Sequence, residues 1–112
     1  MKLAVIFLNK IEYLEDLLSA FLEIGVSGAT IMDSVGMGHI ISQHIPIFAG
    51  LKDAFAGSSP VQKIVLAVVE DDMIERINEV LVDICINFDE KRSYFMTSLA
   101  IEGLYGFDNN QN

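Results

Sequence analysis

Two stretches of strand length, "KLAVIFL" at 2–8 and "KIVLAVV" at 63–69, are apolar at every position after their opening lysine. A strand with one wet face alternates apolar and polar residues, because successive side chains point to opposite sides of the sheet. Neither stretch alternates, so each needs dry surroundings on both faces. That requirement constrains the fold more than any other feature of the 112 residues.

The residues after each stretch narrow the fold further. Behind the first, "NKIE" offers Asn9 as a helix N-cap with Glu12 three residues on, the spacing of a capping box. Ile11, Leu14, Leu17, Leu18, Phe21 and Leu22 then recur at three- and four-residue spacing, with Glu12, Glu15, Asp16 and Glu23 elsewhere. The pattern predicts an amphipathic helix stopped by Gly25. A second strand reads "ATIMDSV" at 29–35, broken by Gly36 and Gly38. Behind the second apolar stretch, "EDDMIE" places acids at a helix start, with Asp72 and Glu75 in capping-box spacing. Ile74, Ile77, Val80, Leu81 and Ile84 form that helix's apolar stripe, and "SYFMTSLAI" at 93–101 closes the series as a strand.

The order is therefore βαβ, loop, βαβ. With right-handed crossovers this gives an α+β fold of the ferredoxin-like kind, a four-stranded antiparallel sheet with two helices on one face. The expectation is a single domain over 1–107 and a frayed tail at 108–112. Two helices cover only one face of such a sheet. The doubly apolar strands then predict an obligate oligomer, with further copies of the chain drying the second face.

Charge and cysteine content limit the partners. The formal net charge is −9, with only 7 Lys and Arg, scattered apart from "EKR" at 90–92. Nucleic acid binding needs clustered cations to neutralise phosphates, so DNA and RNA are excluded as expected partners. The longest apolar runs are too short to span a bilayer, and the start of the chain lacks the layout of a signal peptide. The single cysteine, Cys85, has no internal disulfide partner and reads as a small hydrophobe on the second helix. Together these features predict a cytoplasmic protein.

The segment at 23–39, "EIGVSGATIMDSVGMGH", resembles the stretch of the nitrogen-regulatory PII signalling proteins that joins their first helix to their second strand and long T-loop. The matching features are Gly25 and Gly28 in Gly-x-x-Gly, Thr30 on the strand, and Gly36 and Gly38 in Gly-x-Gly. "KIVLAVVEDDMIERINEVL" is similar to the family's third strand and second helix. The resemblance runs in order over residues 1 to 101. It implies a homotrimer with its sheets packed inward, adenine nucleotide in clefts between subunits, often with 2-oxoglutarate and magnesium, and a loop that docks onto transporters and enzymes. Carried over, it marks Thr30, Gly36, Gly38 and His39 as ligand-binding positions, with Lys91 and Arg92 as phosphate contacts.

The sequence departs from that pattern where the family holds nucleotide phosphates. His39-Ile40 stands where the family has Arg-Gln, and isoleucine has none of the cationic fork of arginine. "NFDEKRSYF" replaces a glycine-rich phosphate cradle; it has no glycine, and Asp89 and Glu90 repel phosphate. The basic pair after the last strand and the loop tyrosine that some bacterial members modify are both missing. The expectation is a divergent PII-like sensor whose standard ATP site is degraded.

The long loop at 36–60 carries Ile45, Ile47, Phe48, Leu51 and Phe55 in a pattern compatible with a short amphipathic turn or helix after Pro46. Such a stripe either docks into a partner's groove, on a membrane transporter or a metabolic enzyme, or packs on the oligomer itself. Two further readings stand beside the sensor. His39 and His44, with Asp33, would suit a metal-binding trimer like the CutA-type relatives, and a ligand-free structural adaptor fits the missing cradle. No nucleophile, Walker loop or distinctive carboxylate pair points to an enzyme.

Overall fold

The computed structural model describes residues 1–37, 40, 62–86 and 94–106. In chain order the elements are β1 (Lys2–Leu8), α1 (Glu12–Ile24), β2 (Thr30–Ser34), β3 (Gln62–Val69), α2 (Met73–Ile86) and β4 (Tyr94–Ala100). The four strands form one antiparallel sheet in the order β2-β3-β1-β4. This is the α+β ferredoxin-like arrangement, with the two all-apolar strands β1 and β3 at the centre and the shorter or more polar β2 and β4 at the edges.

Register divides each central strand cleanly. Ala4, Ile6 and Leu8 of β1 and Val65, Ala67 and Val69 of β3 are buried, and they alternate with half-buried or exposed neighbours. The buried set packs against Tyr13, Leu17 and Phe21 of α1 and Ile77, Leu81 and Ile84 of α2, with Cys85 buried beside them. Ala4 stands opposite Ala67 in the β1–β3 ladder, so the middle of this face is small.

Helix α2 buries the stripe its periodicity predicts. Helix α1 buries most of its own, with Leu17 and Phe21 in the core and Leu14 and Leu18 half-buried against it, but it adds Tyr13 and leaves Ile11 62% and Leu22 73% exposed. The N-cap position also falls on Ile11 and not on Asn9. Residue 11 occupies the cap position in helical conformation, with no side-chain bond to the first turn. Asn9 instead accepts a hydrogen bond on Oδ1 from Gln62 Nε2 at 3.0 Å, tying the end of β1 to the start of β3. An aspartyl or asparaginyl oxygen bonds whichever donor the backbone brings near, and here that donor comes from 53 residues away.

Gly25 ends α1 as expected. It lies in the left-handed region at φ 95°, which only glycine adopts without cost. Its N–H donates to the Leu22 carbonyl and the Val26 N–H to the Phe21 carbonyl at 2.7 Å, the pairing of a Schellman motif. Val26 then turns into the core, fixing the path of the chain toward β2.

Candidate functional site

The sheet's second face is mainly apolar. Ladder partners place Thr30, Leu66, Val5 and Thr97 in one row across it, and Met32, Ile64, Phe7 and Phe95 in the next. Val68, Leu3 and Leu99 make a third. The Phe7 and Phe95 rings meet at 5.7 Å between centroids, tilted by 50°. No ionisable side chain stands in these rows, and no described helix covers them. Phe95 remains 62% and Leu99 50% exposed. The oligomer expected from the apolar strands would use this face.

At one end of the sheet a cleft of ≈ 730 Å³ opens between the α1–β2 connection, the C-terminal half of β3 and the start of β1. Gly25, Val26, Ser27, Gly28 and Ala29 form one wall, and Leu66 to Val69 with Leu3 form the other. Thr30 lies in it, exposed and paired with Leu66. The Schellman turn at Gly25 and the anchoring of Val26 hold the first wall in place. The volume and the mainly apolar lining match ordinary small-molecule sites, which run ~300–1,000 Å³.

Charge is concentrated at the cleft's rim. Glu70 lines it and is its one acidic side chain among the described residues; no Lys or Arg side chain lines it. Next to Glu70, Asp71 pairs with the Met1 ammonium at 3.0 Å. The hydrogen bond from that ammonium, and then its charge, hold the Asp71 carboxyl below the usual carboxylate range. Lys2 adds a smaller pull in the same direction.

Gly36 sits at the other end of β2. Its backbone is not in the left-handed region. A Cβ added there would meet the Gln62 side chain first among the described residues, at 3.8 Å, an ordinary contact. Ser34 donates its hydroxyl to the Gln62 carbonyl at 3.2 Å, and Gln62 reaches Asn9. Asn9, Ser34, Gly36 and Gln62 thus form a polar knot where the chain leaves β2 and re-enters β3. Lys63 pairs with Asp33 beside it. This knot was not legible as a unit in the sequence, since its members are ordinary turn residues far apart along the chain.

Thr30 and Gly36 do not come together. They flank opposite ends of β2, whose four steps from Thr30 to Ser34 span about 13 Å at ~3.3 Å per residue. Gly38, His39, Lys91 and Arg92 lie outside the described residues. So do the loop anchors Ile45, Ile47, Phe48, Leu51 and Phe55, His44, and the 108–112 tail. Among the described residues no group of three His, Cys, Asp or Glu side chains is placed to hold a metal, and no helix is long and apolar enough to cross a membrane. Comparison with known protein families and with curated proteins finds no match for the chain.

Proposed function

We propose that the protein is a PII-like regulatory trimer of the cytoplasm, binding a small metabolite or nucleotide at clefts between subunits and acting on a partner protein through the 36–60 loop. The observation that carries this reading is the position of the cleft. It opens at Thr30, on the row of Leu66 and Val5, beside a sheet face that no described residue covers. Thr30 and Gly36 are too far apart to hold one ligand within a chain. In an oligomer packed through the open face, the Thr30 end of one copy and the Gly36 end of another can share it. Gly36 is also the root of the long loop, so a ligand touching it has a direct handle on the loop's exit path. The partner, by this reading, is a membrane transporter or metabolic enzyme that accepts the loop's apolar anchors.

A ligand panel on the purified protein tests the sensing role: adenine nucleotides and adenosine, cyclic dinucleotides, 2-oxoglutarate, bicarbonate and divalent metals, read by thermal shift. A ligand held only by the folded state, at a hundred times its dissociation constant, stabilises by about 2.7 kcal/mol. A reproducible rise in melting temperature with at least one ligand supports the sensor. No rise with any of them refutes it, and leaves the adaptor reading favoured by the glycine-free segment at 87–93.

A further inference from the structure

We infer that the Thr30 cleft takes an uncharged or cationic amphipathic molecule of about nucleoside size, and selects against ligands carrying free phosphate or carboxylate groups there. The inference rests on the sensor reading above and deepens it. Three observations bear on the charge of the ligand. First, the lining holds no Lys or Arg side chain among the described residues, while Glu70 stands at its rim. Second, the Met1 ammonium, the positive group beside the rim, is engaged in an ion pair with Asp71. Third, the two backbone features that commonly seat anions are spent. The Gly25 and Val26 N–H groups donate back into α1, and the N-terminus of α2 is already flanked by Glu70, Asp71, Asp72 and Glu75. An anion entering here meets exposed carboxylates at the rim, whose repulsion weakens as salt is added.

Size and polarity supply the rest. Leu3, Val26, Leu66 and Met73 offer apolar surface to a flat or aliphatic body. The Thr30 hydroxyl and exposed backbone around Ser27 and Gly28 offer hydrogen bonds to a polar rim. A nucleoside has that division, with a flat base and a hydroxyl-bearing sugar, and a polyphosphate tail does not fit it.

Isothermal titration of the full chain with adenosine, AMP and ATP, in metal-free buffer at fixed ionic strength, tests the charge rule. The expected order is adenosine tightest and ATP weakest, with at least about tenfold between them. Raising salt should strengthen ATP binding by screening the repulsion, the reverse of an ordinary phosphate site. Glu70→Gln, at an exposed position, should narrow the ratio of adenosine to ATP affinity. ATP binding as tightly as adenosine, or a ratio unmoved by Glu70→Gln and by salt, overturns the inference. If none of the three binds while 2-oxoglutarate or bicarbonate raises the melting temperature, the inference fails and the sensor reading stands. Silence across the whole ligand panel overturns both.

Discussion

The two faces of the central sheet are built from nearly the same residue types and end in opposite situations. On one, Ala4, Ile6 and Leu8 with Val65, Ala67 and Val69 lie beneath two amphipathic helices. On the other, Leu3, Val5 and Phe7 with Ile64, Leu66 and Val68 form an apolar floor with only half-buried or exposed positions. The difference is one of supplier. The first face is dried by the chain's own α1 and α2, and its central Ala4–Ala67 pair leaves room for them. The second bears larger side chains across its middle, and no described helix covers it. An apolar surface of this extent in water is unfavourable in proportion to its area, so covering it supplies a driving force for assembly.

The contrast between the faces breaks first on the helix side. Phe21→Ala should empty part of the core between α1 and the sheet and cost about 3–5 kcal/mol, a large share of the ~5–15 kcal/mol that such domains possess. Chemical denaturation would read this as a fall in midpoint. The matching change on the open face should behave differently. Leu66→Lys places a charge in every copy of an interface that assembly requires to be dry, at a penalty of several kcal/mol per buried ion. Sedimentation should show dissociation to smaller species, while circular dichroism keeps the folded signature. Unfolding with no dissociated folded species would show that Leu66 belongs to an intramolecular core instead.

Smaller effects sharpen the boundary between the faces. Gly25→Ala forces a Cβ into the left-handed region at the turn that shapes the cleft wall, and should cost about 1 kcal/mol in thermal or denaturant unfolding. A still smaller effect is expected from Tyr94, whose hydroxyl donates to Asn78 Oδ1 at 2.8 Å between β4 and α2. Burial, and then the Cys85 thiol, push the Tyr94 phenol above its ordinary value. The folded state therefore holds this proton longer than the unfolded chain does. Its contribution is whole below about pH 10 and falls as pH rises through the folded value. The alkaline side of a stability–pH curve should steepen there, and Tyr94→Phe should remove that component. Asp71 works in the opposite sense, since its carboxyl is held low by the Met1 ammonium. Its help is present above the ordinary carboxylate range and is lost as acid protonates the folded form.

Much of the fold was written locally. The unbroken apolar runs of β1 and β3, the four-residue stripe of α2 and the glycine after α1 each depend on near neighbours, so periodicity finds them. The errors came where a distant residue decided. Asn9 bonds Gln62 across the sheet, and nothing within its own segment signals that competition with capping. Tyr13 lies on the core line of α1 with Leu17 and Phe21, while Ile11 and Leu22 face outward. The cleft was legible only in Thr30. Glu70 read as an ordinary acid at a helix start, and it became part of a site only when β3 was paired with β2. Only that pairing sets the 25–30 turn beside residues 66–70.

The most direct test of the central claim is the mass of the assembly in solution, measured by sedimentation or native mass spectrometry at low protein concentration. The predicted species contains three chains, each of 12.4 kDa, with the open faces turned inward. A stable, folded monomer of 12.4 kDa would contradict it.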